Sequence, residues 1–89
     1  MKRPAFIYLL RCADGTIYTG WTYDVEQRVS THKKGRGARY TRTRCPVELI
    51  YHEKLKSRQE AMKREIEIKK MPRAKKLALA ESNDIKRKT

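Results

Sequence analysis

Residues 5–12, Ala-Phe-Ile-Tyr-Leu-Leu-Arg-Cys, form one continuous apolar run. Its length and content suit a strand buried on both faces. Residues 16–22, Thr-Ile-Tyr-Thr-Gly-Trp-Thr, are β-branched and aromatic and read as a second strand. Between them, Asp14-Gly15 is a strong hairpin signal, and a hairpin closing there brings Tyr8 and Tyr18 onto neighbouring strands. Gly20 interrupts the second strand. A glycine there costs stability and marks a bulge or a close backbone approach. Pro46 opens a third strand over 47–53, at the first position, where proline is tolerated.

The polar positions place the helices. Asp24 with Gln27 fits a capping box, with Thr22 as the rival cap. Val25, Arg28, Val29 and His32 then share one helical face, and Gly35 is a natural stop. The two glycines within 33–44 make that segment a loop rather than a helix. Ser57 with Glu60 opens a second helix through about Met71, with Ala61, Met62, Glu65, Ile66 and Lys69 on its inward face. Pro72 breaks that helix or starts the next. Residues 73–81 read as a last short helix packing Leu77 and Ala80. Residues 83–89 read as a frayed basic tail. The expectation is an α/β (α+β) fold of three strands and about three helices, with a single domain over 1–82 and a basic C-terminal tail over 83–89.

Size and charge narrow the functional classes. With 89 residues there is room for one small domain with a thin core. Lys and Arg total 23 against 10 Asp and Glu, a formal charge of +13. Such an excess argues for a polyanionic partner, because each neutralised phosphate releases counterions. The bland alternatives are solubility, a structural role in a ribonucleoprotein, or disorder. Clustering of the apolar residues speaks against disorder. Cys12 and Cys45 have no C-x-x-C spacing and cannot make a thiolate zinc site; they can form one disulfide, but nothing points to a secreted scaffold. The apolar run at 5–12 is too short for a signal peptide or a membrane span. The expectation is a soluble cytoplasmic protein with reduced thiols and no membrane partner.

Tyr8, Tyr18, Arg28, His32 and Glu65 together make a set able to cut a phosphodiester. Each has a plainer reading. Strand tyrosines are usually packed aromatics with a polar tip. Arg28 and His32, at i and i+4, share a face that is either solvated or paired through Arg28 with Glu48 or Glu53. In the functional reading Arg28 hydrogen-bonds the scissile phosphate and His32 accepts a proton near neutral pH. Glu65 sits among apolar neighbours and either pairs with Lys69 or holds Mg²⁺ or Mn²⁺, for which one carboxylate suffices when waters and a phosphate oxygen complete the shell. Lys33, Lys34, Arg36, Arg39, Arg42 and Arg44 form a phosphate-binding surface, with Tyr40 to stack on an unpaired base and Lys69 and Lys75 extending it. No Walker A, Rossmann, H-E-x-x-H or G-x-S-x-G pattern occurs.

The chain resembles the GIY-YIG nuclease superfamily, in particular its small stand-alone bacterial members. The resemblance runs from Phe6-Ile7-Tyr8 and Tyr18-Thr19-Gly20 through Arg28 and His32 to Glu65, and includes the more specific strings over 10–22 and 35–41. Relatives include the amino-terminal incision domain of the bacterial excision-repair endonuclease, homing endonucleases and some restriction enzymes. The resemblance implies a three-stranded antiparallel sheet flanked by helices and metal-dependent phosphodiester hydrolysis. It implies that Tyr8 activates water, Tyr18 lines the site, Arg28 stabilises the transition state, His32 relays a proton from Tyr8, and Glu65 holds one divalent ion. Phe6 and Thr19 replace the Gly and Ile of the motif name, and neither position supplies a reactive group. Lys75 stands where several relatives have an asparagine that helps complete the site.

The function expected is therefore a metal-dependent endonuclease, acting on DNA rather than RNA, structure-selective or weakly sequence-specific, with a DNA-repair relative in view. The alternative is a non-catalytic basic nucleic-acid-binding module on the same fold. The protein is expected as a monomer or weak homodimer, with room for a protein partner that supplies specificity.

Overall fold

The computed structural model describes residues 3–88, with side chains through residue 82. Three strands, β1 (Ala5–Arg11), β2 (Ile17–Thr22) and β3 (Glu48–Leu55), combine with four helices. These are α1 (Val25–Lys33), α2 (Arg39–Arg42), α3 (Arg58–Lys69) and α4 (Arg73–Lys88). The sheet is antiparallel with order β2-β1-β3, so β1 is its centre. This explains the continuous apolar run: Ala5, Ile7 and Leu9 pack on one face with Ala61 and Ile68 of α3, while Tyr8, Leu10 and Cys12 pack on the other with Val29 of α1 and Val47. A central strand covered on both faces has no polar side to show.

The β1–β2 connection is the expected hairpin. Cys12 N–H donates to the Thr16 carbonyl at 2.9 Å, and Asp14 Oδ1 accepts from Thr16 N–H and from its hydroxyl. Asp24 caps α1 by accepting from Gln27 N–H at 3.1 Å, while Thr22 serves the turn before it. At the far end Gly35, at φ +74°, sends its N–H to the His32 carbonyl, and Arg36 N–H reaches the Thr31 carbonyl. That paired arrangement terminates the helix where the glycine predicts.

The structure corrects four local expectations. The 33–44 segment is not all loop: once past Gly35 and Gly37, residues 39–42 close the turn of α2 through Thr41 N–H and Arg42 N–H, both donating to the Ala38 carbonyl. The third strand begins at Glu48 and runs on to Leu55. Helix α3 ends at Lys69 and presents Ala61, Arg64, Glu65 and Ile68 inward or half-inward, leaving Met62 and Ile66 43% and 53% exposed. Its phase puts Ala61 and Ile68 in the core and brings Arg64, half-inward, to Glu53 of β3 at 3.1 Å. An arginine at an inward position is invisible to a reading based on hydrophobicity. Helix α4 does not stop at 81 but continues through Lys88, including the backbone of the expected tail. Leu77 is half-buried and Ala80 buried, as expected. Among the described residues, no helix is long and apolar enough to cross a membrane.

Candidate active site

Register places the two tyrosines. Tyr8 lies opposite Gly20 and Leu10 opposite Tyr18, so the two phenols are diagonal neighbours on one face, with ring centroids 6.3 Å apart. Gly20 is required by a close approach: a β-carbon there would sit 2.6 Å from the Tyr8 hydroxyl oxygen and 2.7 Å from Cζ. The glycine thus lets the Tyr8 ring lie across β2. The sequence offered a bulge or a close approach at this position, and the structure resolves it as the second. The bulge falls elsewhere, between Leu9 and Leu10 in the pairing with β3.

Helix α1 brings the next two groups. His32 Nε2 is 2.9 Å from the Tyr8 oxygen, and Arg28 Nε–H donates to that oxygen at 3.4 Å. Arg28 pairs with neither Glu48 nor Glu53, which are taken by Arg11 and Arg64. The far nitrogen of His32, Nδ1, is 2.7 Å from Thr41 Oγ1, and Thr41 donates its hydroxyl to the Ala38 carbonyl at 3.0 Å. His32 and Thr41 are both fully buried. Gly37 passes so close to the imidazole that a β-carbon would stand 2.2 Å from Nδ1. Its close approach is to the histidine.

Burial sets the protonation states. It pushes the Tyr8 phenol up to about 12, against the opposing pull of Arg28. It also raises the Tyr18 phenol. It lowers the His32 imidazole to about 4, with the Arg28 charge adding to the effect. At neutral pH the resting site therefore holds a neutral phenol hydrogen-bonded to a neutral imidazole. Desolvation outweighs the single nearby guanidinium, so the Tyr8 phenol is held away from its ionised form.

Glu65 arrives from α3, on the opposite face of the sheet, yet its charge reaches both phenols and raises them. Its side chain is 18% exposed and meets Lys69 Nζ at only 3.7 Å, a loose pair that leaves carboxylate valence over. No cluster of three or more His, Cys, Asp or Glu occurs among the described residues. A divalent ion at Glu65 would have this one carboxylate as its protein ligand, a donor set that would suit Mg²⁺ or Mn²⁺ with water and phosphate oxygens in the remaining positions and would not suit zinc.

The basic segment is divided. Arg36, Arg39 and Arg42 are exposed and make no ion pair among the described residues. Lys33 and Lys34 flank a groove of about 440 Å³ between α1 and Leu49 of β3. Tyr40, 38% exposed, stacks on Tyr18 with centroids 5.9 Å apart. Arg44 is largely occupied: it binds Asp14 at 3.0 Å, donates to the Tyr40 carbonyl at 2.9 Å and lies over the Tyr40 ring. It clips the segment to the hairpin turn. Lys69 is engaged by Glu65, and Lys75 is exposed at the start of α4. Thr41, whose contact with His32 no spacing rule announces, is the site residue that pattern reading passes over.

The chain matches the family described as the GIY-YIG catalytic domain over residues 4–78. It is 52% identical over 77 residues to a UPF0213 protein of Streptococcus agalactiae, covering 86% of this chain and 88% of that one. It is 49% identical over 76 residues to a UPF0213 protein of Staphylococcus haemolyticus, covering 85% and 93%. The solution NMR structure of a UPF0213 protein from Bacillus halodurans is similar at 42% identity and a TM-score of 0.56, covering 88% of this chain and 83% of that one. A second NMR structure, of a protein from E. faecalis, gives 37% identity and a TM-score of 0.62 with 94% and 90% coverage.

Proposed function

The chain belongs to the GIY-YIG family, a family of nucleases, and we propose that it is a metal-dependent endonuclease hydrolysing phosphodiester bonds, in DNA before RNA, with structure-selective or weak sequence preference. The observation that carries this reading is the chain Arg28–Tyr8–His32 at 3.4 and 2.9 Å. A phenol whose proton is already committed to an imidazole can take a proton from water while passing its own to Nε2. The relay avoids a free phenolate, which burial makes costly here.

Arg28 has two tasks in this scheme. Tyr8 is only 1% exposed, and the Arg28 guanidinium lies against its oxygen. A phosphate that draws Arg28 to itself uncovers the phenol in the same movement, and the guanidinium then stabilises charge growing on the non-bridging oxygens. Tyr18, held between Tyr40 and His32, walls the site and orients the phosphate or water. Glu65 would hold the divalent ion, which supplies neutralisation of the leaving oxygen when bound. Arg36, Arg39, Arg42, Lys33, Lys34 and Lys75 hold the flanking backbone. With so small a surface, recognition rests on shape and charge rather than base sequence.

The test is cleavage of labelled single-stranded, duplex and branched DNA, and of RNA, with Mg²⁺, Mn²⁺ or EDTA. Metal-dependent cutting by the native chain, lost by at least about a hundredfold in Arg28→Ala and Glu65→Ala, is the expected result. Salt-sensitive binding with no turnover on any substrate would instead indicate the non-catalytic binding module.

A further inference from the structure

The Tyr8 oxygen meets Arg28 and His32 at hydrogen-bond distance, with the Tyr18 hydroxyl nearby, and these neighbours constrain its proton. Arg28 has donors only, so Nε–H must donate to the phenolic oxygen. The phenolic proton has His32 Nε2 as an acceptor at 2.9 Å, with the Tyr18 hydroxyl beside it as the other. For Nε2 to accept, a neutral imidazole must carry its hydrogen on Nδ1. Nδ1 faces Thr41 Oγ1 at 2.7 Å, and that hydroxyl spends its own single proton on the Ala38 carbonyl at 3.0 Å. Each proton along Arg28, Tyr8, His32, Thr41 and Ala38 therefore points the same way.

The reverse orientation is poorer at both ends of the chain. It would set His32 Nε2–H and Arg28 Nε–H both against the Tyr8 oxygen, turn the phenolic proton toward Tyr18, and require the Thr41 hydroxyl to give up the Ala38 carbonyl for Nδ1. Tyr8 is 1% exposed, and His32 and Thr41 are not exposed at all. The cost of a misdirected hydrogen bond in this chain is therefore not relieved by easy access to solvent.

We propose that Thr41 is a positioning residue: by accepting from His32 Nδ1–H it fixes the tautomer that presents a lone pair at Nε2 to the Tyr8 phenol. Gly37 supports the same arrangement from the ring edge, since nothing larger than hydrogen fits there. The gap between the α1 stop at Gly35 and α2 gains a purpose on this account. Four-residue α2 aims the Thr41 hydroxyl back at the last turn of α1 and anchors it on the Ala38 carbonyl. The inference rests on the nuclease reading for its catalytic value, and its central readout does not depend on activity.

Imidazole ¹⁵N–¹H correlation spectra of the native chain, Thr41→Val and Thr41→Ser test it. The expected result is an Nδ1–H tautomer for His32 in the native chain and in Thr41→Ser. In Thr41→Val the hydroxyl is lost at similar volume and that tautomer is depleted. Single-turnover cleavage by Thr41→Val should fall about a hundredfold with KM little changed, and Thr41→Ser should recover most of it. An Nε2–H tautomer in the native chain overturns the proposal, and this needs no variant to fold. So does an unaltered tautomer in Thr41→Val. A chain that cuts nothing but shows the expected tautomers removes the nuclease reading and leaves the role of Thr41 in place.

Discussion

His32 carries the sharpest residue-level consequence. Free histidine titrates near 6.5, whereas burial, aided by Arg28, holds His32 down to about 4. Between those values the unfolded chain binds a proton that the folded chain refuses. Stability must therefore rise with pH from about 4 to about 6.5 and gain nothing further from this group above that. Denaturant midpoints across this window should show the rise in the native chain. His32→Gln should flatten it, even though the substitution lowers stability at every pH. Tyr8 and Tyr18 were legible as a pair because two strand-like runs and the Asp-Gly turn between them fix strand neighbours. Their protonation states were not, because desolvation depends on what covers β1, and that is supplied by α1 and by a loop more than twenty residues away.

At the scale of elements, local chemistry was readable wherever it closes on itself within a few residues. Asp24 and Ser57 cap the helices they were expected to cap, and Gly35 ends α1. Elements whose phase is decided by distant partners were misread. Helix α3 buries Ala61 and Ile68 and pairs Arg64 with Glu53, eleven residues apart, a contact that no i, i+4 rule describes. Helix α2 escaped notice because glycines mask a four-residue turn that Ala38 and Thr41 close. Gly20 shows the coupling between element and site most directly. Gly20→Ala would drive a β-carbon into the Tyr8 ring, whose buried position leaves nowhere to move. Overpacking of this kind costs roughly 1–3 kcal/mol, and it should also break the Tyr8–His32 bond. The expected outcome is a lower denaturant midpoint together with loss of cleavage, and a variant that loses neither would argue against the placement of Tyr8.

For the whole molecule, the charge of +13 is a statement about partners. Its distribution matters more than its size. Arg11, Arg44 and Arg64 are tied to carboxylates, whereas Arg36, Arg39 and Arg42 face solvent beside the Tyr40–Tyr18 stack. Replacing those three by glutamine should leave the unfolding transition almost unchanged. It should reduce the slope of log affinity against log salt by up to about three on DNA. Equal slopes would move the nucleic-acid path to another face.

The relay from Tyr8 to His32 is the centre of the account, and Tyr8→Phe isolates it, because the ring that fills the core stays and only the hydroxyl goes. Single-turnover cleavage of a labelled DNA substrate at saturating protein, beside a binding titration of the same variant, is the decisive comparison. The account predicts a fall of about a hundredfold or more in the cleavage rate with affinity close to native. A Tyr8→Phe protein that binds and cuts at the native rate would contradict it.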